Sequence, residues 1–172
     1  MVFVDGSNFY NRMKELRLEN LLSFDYKRFG KWLAGGRKVL ASNYYIGAVR
    51  EKEGDEKSKI LLRNQHRLFA RLKGAGWKIH LGYLLKTDGY HEKGVDVRIA
   101  VDLLVGAYEN LYDTAVLVSS DTDLLPAMAK VRQLGKRIEY VGFGHRPSFA
   151  MQANANVSRL IVVSDIKKFL KK

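Results

Sequence analysis

Ala115-Val116-Leu117-Val118-Ser119-Ser120-Asp121-Thr122-Asp123-Leu124-Leu125-Pro126 is an apolar run, then two acids, then a helix start. A short Val- and Leu-rich run bounded by polar residues reads as a buried strand, and a proline this early in a helical stretch marks a first turn. Two carboxylates therefore follow the C-terminal end of a strand, the edge at which open α/β sheets bind ligands. The first residues repeat the arrangement, Val2-Phe3-Val4 and then Asp5-Gly6-Ser7-Asn8. Another acid, Asp96, follows Lys93-Gly94-Val95 at a further helix start.

Strand and helix patterns alternate along the chain, which predicts an α/β fold around a mainly parallel sheet. Helices are expected over 9–16, 26–33, 58–73, 95–108 and 125–134. Strands are expected over 2–4, 39–49, 77–85, 115–119, 138–143 and 159–163, with a helical turn at 166–170. Ser7 or Asn8 is the expected cap of the first helix and Ser58 that of the third. The stretch 95–108 is apolar almost all round, which predicts a largely buried helix. Residues 86–94 read as a polar loop, and 147–155 fit neither period. Nothing in the composition marks a linker or a repeat, so residues 1–172 are read as one domain.

Thirty Lys and Arg against eighteen Asp and Glu give a formal charge of +12, which favours polyanions, nucleic acid first. The absence of cysteine excludes disulfides and thiolate-bound zinc and suits a reducing, cytoplasmic setting. No apolar run approaches the roughly 20 residues of a membrane span, and Asp5 interrupts the N-terminal apolar stretch too early for a secretory leader. No membrane partner is expected.

Parallel strands point their C-terminal ends to one side of a sheet, so Asp5, Asp96, Asp121 and Asp123 can converge there. Such a cluster repels itself unless a cation is present. Oxygen ligands without His or Cys suit Mg²⁺ or Mn²⁺, an ion that activates water and neutralises charge on a phosphate. Asn8 would orient a ligand without adding charge. Singly, each acid has a plainer reading: Asp5 as a turn residue, the others as helix caps. Ser7 and Ser120 adjoin the acids as supporting residues. Asp102 lies among apolar residues of a helix and needs a partner, either in support of the acids or in a structural ion pair. An acidic site inside a basic chain is the electrostatics of an enzyme that cuts nucleic acid.

Three blocks, Asp5-Gly6-Ser7-Asn8, Lys93-Gly94-Val95-Asp96 with Asp102 following, and Ser119-Ser120-Asp121-Thr122-Asp123-Leu124, together resemble the NYN domain of the LabA-like type, within the PIN-like nuclease superfamily. The resemblance spans about residues 1–145. It implies a three-layer α/β/α sandwich of PIN-like, Rossmann-like form, an acidic site holding Mg²⁺ or Mn²⁺, and typically RNA hydrolysis. Asp5, Asp96, Asp121 and Asp123 match the family's acidic positions, and Asn8 its asparagine. Ser120 and Thr122 depart from the commoner Gly-Asp-Ser-Asp-Phe form and keep both carboxylates. Some relatives are regarded as regulatory, so the expectation is a metal-dependent ribonuclease with a non-catalytic RNA- or protein-binding regulator as the alternative.

Arg63, Arg67 and Arg71 recur every four residues and drift only ~40° per step on a helix, so they form one stripe that can track a phosphate backbone or simply face solvent. Leu61, Leu68, Phe69 and Leu72 are expected to face the sheet. Lys93, beside Asp96, is the expected phosphate contact. Lys86, His91, His145 and Arg146 are further candidates, and Tyr90 is a candidate for base stacking. Strands at the sheet edges offer a pairing surface for a homodimer. A haloacid-dehalogenase-type phosphatase needs an acid where Ser7 stands, and an integrin-like adhesion site needs a serine where Phe9 stands, so both fail.

Overall fold

The structure, a computed structural model, describes residues 1–18, 21–51, 53–86 and 90–170, with the backbone alone at 22, 83–86 and 90–93. Six strands form one sheet: β1 (Val2–Asp5), β2 (Ser42–Ile46), β3 (Lys78–Leu81), β6 (Thr114–Val118), β7 (Arg137–Phe143) and β8 (Val157–Ile161). Their order is β3-β2-β1-β6-β7-β8, and every neighbouring pair is parallel. The strands β4 (Tyr83–Lys86) and β5 (Tyr90–Lys93) pair with each other as an antiparallel hairpin outside this sheet. Residues 83–86 and 90–93, expected as the end of a strand and a polar loop, therefore pair with each other instead of extending β3.

Alternation along the strands builds the two faces. Val2, Val4, Tyr44, Val116, Val118, Val141 and Phe143 point into one core with Phe9, Met13, Phe29, Leu33, Leu72 and Trp77. Phe3, Tyr45, Ala115, Leu117, Ile138 and Tyr140 point into the other with Ile99, Leu103, Met128 and Met151. The first core is covered by α1 (Gly6–Glu15), α2 (Tyr26–Ala34), α3 (Glu56–Gly74) and α7 (Val163–Lys167); the second by α4 (Val95–Tyr108), α5 (Leu125–Gln133) and α6 (Phe149–Ala153). This is the expected three-layer α/β/α sandwich.

Several local expectations change. Asp5, not Ser7 or Asn8, caps α1, and Asp55, not Ser58, caps α3. The unassigned stretch after residue 147 contains α6, capped by Ser148. On α3, Leu72 is buried, but Leu61 is 55% exposed, while Ser58 and Gln65 are buried; Gln65 reaches the backbone of Gly47 and Val49. The amide earns its burial through those two bonds, so the buried face rotates away from Leu61. The helix α4 is buried on one side only. Ile99, Leu103 and Ala107 face the sheet, whereas Val97, Val101, Val105 and Tyr108 are exposed. Its all-round apolar sequence does not bury it, because a helix in an outer layer has a single sheet to lie against. Among the described residues no helix is long and apolar enough to cross a membrane.

The order of the strands places a switch point between β1 and β6. From β1 the chain runs outward to β2 and β3, then crosses back through α4 to β6 and runs outward the other way to β7 and β8. Ligands in such sheets bind in the crevice outside the strand ends at this switch.

Candidate metal centre

Asp5 ends β1 at this crevice. The register Val4↔Val118 sets Asp5 level with Ser119, the residue after β6. The Ser119 hydroxyl donates to Asp5 Oδ2 at 2.9 Å, and the Asn8 backbone N–H donates to Oδ1 at 2.9 Å. Ser119 Oγ in turn accepts the Asp121 N–H at 3.1 Å, and Asn8 Oδ1 accepts the Ser120 N–H at 3.2 Å. These four bonds tie the β1–α1 junction to the turn after β6. Gly6 is buried against β2, where a Cβ would meet the Tyr44 ring and lie 2.7 Å from the Tyr45 carbonyl oxygen. Only glycine lets Asp5 end the strand and α1 begin at once.

Asp121 follows β6 and caps a 3-10 turn at Thr122–Leu124, its Oδ1 accepting the Asp123 N–H at 2.9 Å. Asp96 stands in the first turn of α4, which Gly94 opens in the left-handed conformation, φ +84°. A carboxylate in a first helical turn gains from the helix dipole. Ligand oxygens of Asp5, Asp96 and Asp121 lie within 4.8 Å of one another. Asp5 is 3% exposed and the other two are half-buried. They line a cavity of about 340 Å³ with Ser7, Asn8, Asn11, Gly94 and Val95.

Burial first, then the charges of Asp96 and Asp121, push the Asp5 carboxyl up to about 6, against the pull of the Asn8 and Ser119 hydrogen bonds. Burial likewise raises Asp96, with Asp121 and Asp123 adding to it. Among the described residues no lysine or arginine pairs with any of the three. Oxygens on opposite sides of a Mg²⁺ octahedron are ~4.2 Å apart, at ~2.1 Å from the ion each, so the three carboxylates close on such an ion with small side-chain rotations. An all-oxygen, unneutralised donor set fits Mg²⁺ or Mn²⁺.

The other expected site residues fall in different places. Asp123 is exposed outside the cluster, at the rim, close enough for its charge to act on Asp96. Asn8 lines the cavity, but its amide oxygen is spent on the Ser120 backbone. Ser7 lines the cavity, and Ser120 contributes its N–H while its hydroxyl lies 3.4 Å from the Tyr140 hydroxyl. Asp102 does not support the acids. It accepts from Arg98 Nε at 3.0 Å and from the Tyr45 hydroxyl at 3.0 Å, 3.6 Å from His80 Nδ1, which makes it the structural ion pair.

Arg63, Arg67 and Arg71 are exposed on α3, and no residue of α3 lines the acid cavity. The side chains of Lys86, Tyr90, His91 and Lys93 lie outside the described residues. Two contributors carry a weaker signal in the sequence. Ser119 is a polar residue ending a buried strand, and Asn11 stands one turn after Ser7 on the same helix face.

A family model for the NYN domain matches residues 1–165. A comparison with curated proteins matches none of them. The crystal structure of a Vibrio parahaemolyticus protein of unknown function is similar in fold, with a TM-score of 0.69 and 24% identity over 99% of this chain and 94% of that one. A match over nearly the whole length, on a parallel sheet with acids gathered at its switch point, assigns the chain to the NYN domain family, of PIN-like fold.

Proposed function

We propose that the protein is a ribonuclease that hydrolyses phosphodiester bonds with Mg²⁺ or Mn²⁺ held by Asp5, Asp96 and Asp121. The observation that carries this reading is the convergence of three carboxylates, without a cationic partner among the described residues, in a chain of charge +12. A divalent ion bound there supplies positive charge to the scissile phosphate and lowers the pKa of a coordinated water. The chain's own part is to keep the donors in place. Ser119 and the Asn8 N–H fix the Asp5 carboxylate, Asn8 Oδ1 fixes the turn that carries Asp121, and the first turn of α4 aims Asp96. Asp123, at the rim, adds charge that favours retention of the cation. In-line attack of water on phosphorus would leave 5′-phosphate and 3′-hydroxyl ends. The NYN assignment supports RNA as the substrate, and the basic side chains Arg63, Arg67, Arg71 and Lys93 would hold the flanking strand.

A non-catalytic binder on the same fold gains nothing from three like charges held together without a cationic partner among the described residues, which favours the enzyme. Hydrolysis of a fluorescent RNA with Mn²⁺, comparing the native protein with Asp121→Asn, tests it. The expected loss exceeds the ~10–100-fold that removal of an outer-sphere partner costs at a metal site. Equal cleavage by both proteins refutes the assignment.

A further inference from the structure

A second group of charges gathers beside the acid cavity, at the end of α1. Glu15 receives three basic side chains at once. Arg12 Nη1 donates to Oε1 at 2.9 Å, Arg146 Nη1 donates to the same oxygen at 3.3 Å, and His145 Nε2 lies 3.0 Å from Oε2. His145 and Arg146 follow β7, so they stand at the same edge of the sheet as the acids. Two guanidiniums against one carboxylate leave an excess of positive charge. Arg12 is largely buried, and its Nε is enclosed without a hydrogen-bond partner among the described residues, so its guanidinium is held in place by packing with its outer Nη1 turned to Glu15.

A cavity of about 470 Å³ lies on the α1 side of this group, lined by Asn8, Asn11, Arg12, Lys14 and Glu15, and it shares Asn8 and Asn11 with the acid cavity. The two form one groove along α1. Asn8 to Arg12 and Asn11 to Glu15 are each one turn, ~6 Å along the axis. A strand whose scissile phosphate sat at Asp5, Asp96 and Asp121 would bring a neighbouring phosphate to Arg12 and Arg146.

We propose that Arg12, His145 and Arg146 form a subsite for a backbone phosphate of single-stranded RNA, and that the Glu15 carboxylate occupies the phosphate's place in the free protein. Planar guanidinium forks suit a phosphate as well as a carboxylate. Glu15 itself is exposed, and ion pairs to an exposed carboxylate contribute little to stability, so its exchange for a phosphate that keeps Arg12 paired costs the fold little. Glu15 thus acts as an internal competitor that RNA displaces. The anion subsite stands on the geometry alone; its ligand, RNA, rests on the reading above.

The test is binding of a fluorescent single-stranded RNA by anisotropy in EDTA, where cleavage plays no part, across a salt series. Each phosphate contact with a single strand contributes ~0.7 to the slope of log K against log salt. Glu15→Gln is expected to tighten binding about threefold to tenfold and to steepen the slope by up to ~0.7. Arg146→Ala, at a residue 68% exposed in its side chain and safe for folding, is expected to weaken binding and flatten the slope by ~0.7. Unchanged or weaker binding by Glu15→Gln, an unchanged slope for Arg146→Ala, or no RNA binding by the native protein each overturns the subsite. The readings separate cleanly. RNA that binds as expected but is not cleaved with Mn²⁺ leaves the subsite and removes the nuclease. Cleavage with both variants unaltered in KM does the reverse.

Discussion

Replacing Asp5 with Asn should stabilise the ion-free protein at neutral pH, and by an amount that depends on pH. Asp5 is 3% exposed, and its carboxyl is raised from 3.8 to about 6, mainly by burial. The fold therefore favours the neutral carboxyl. Its contribution to stability is full below about 3.8 and is lost as pH rises through about 6. At 1.36 kcal/mol per tenfold change, the ionised Asp5 costs the fold about 3 kcal/mol at pH 7.5. Asn fills the same volume, still caps α1 through its oxygen, and can donate to Ser119 Oγ. In EDTA, the unfolding free energy of Asp5→Asn should exceed that of the native protein by up to ~3 kcal/mol at pH 7.5, or ~6–12 °C in Tm for a chain of this size. The two curves should meet near pH 4. Urea denaturation followed by circular dichroism from pH 4 to 8 measures the difference directly, because the other titrating groups are common to both proteins. Mn²⁺ at a hundred times its Kd should add ~2.7 kcal/mol to the native protein and markedly less to the variant. Parallel pH curves, or a variant that is less stable at pH 7.5, would refute the reasoning.

Gly6→Ala should destabilise by at least ~1–3 kcal/mol, the usual cost of overpacking, because the new methyl meets the Tyr44 ring and the Tyr45 carbonyl; the shift of Tm on Mn²⁺ addition should shrink with it, since Asp5 is displaced. Leu103→Ala should cost ~2–5 kcal/mol and Val97→Ser less than ~0.5 kcal/mol, although both lie on the same apolar helix; comparable losses in thermal unfolding would mean that α4 is buried on both sides. Joint replacement of Arg63, Arg67 and Arg71 by Ala should weaken RNA binding and flatten its salt dependence while leaving the single-turnover cleavage rate unchanged, since no residue of α3 lines the acid cavity. A slower single-turnover rate would place the stripe at the reacting phosphate.

The layered fold and the acid-bearing strand ends were legible because both rest on local pattern. Val2-Phe3-Val4 and Ala115–Val118 alternate between two cores, and carboxylates directly after them can only emerge at the sheet edge. What the pattern leaves open is orientation about a helix. Asp102 has the same side chain as Asp96 and lies on the same helix, yet it turns to Arg98 and Tyr45. Asp123 is two residues from Asp121, but the 3-10 turn sends it to the rim. The burial of Gln65 in place of Leu61 follows from the backbone of Gly47 and Val49, which periodicity does not see. The sequence points to Ser120 and the structure to Ser119, because strand alternation says which side a residue faces, not which neighbour it meets there.

The bonds from Ser119 to Asp5 and from Ser120 to Asn8 span 114 and 112 positions of the chain. Neither the first hundred residues nor the remainder contains all three clustered acids, since Asp5 and Asp96 lie in one part and Asp121 in the other, so neither half alone should reproduce the stabilisation by Mn²⁺ expected of the whole chain. During synthesis the N-terminal portion emerges first, so Asp5 is exposed well before Ser119 and Asp121. The acid cluster is therefore complete only once β6 has docked beside β1.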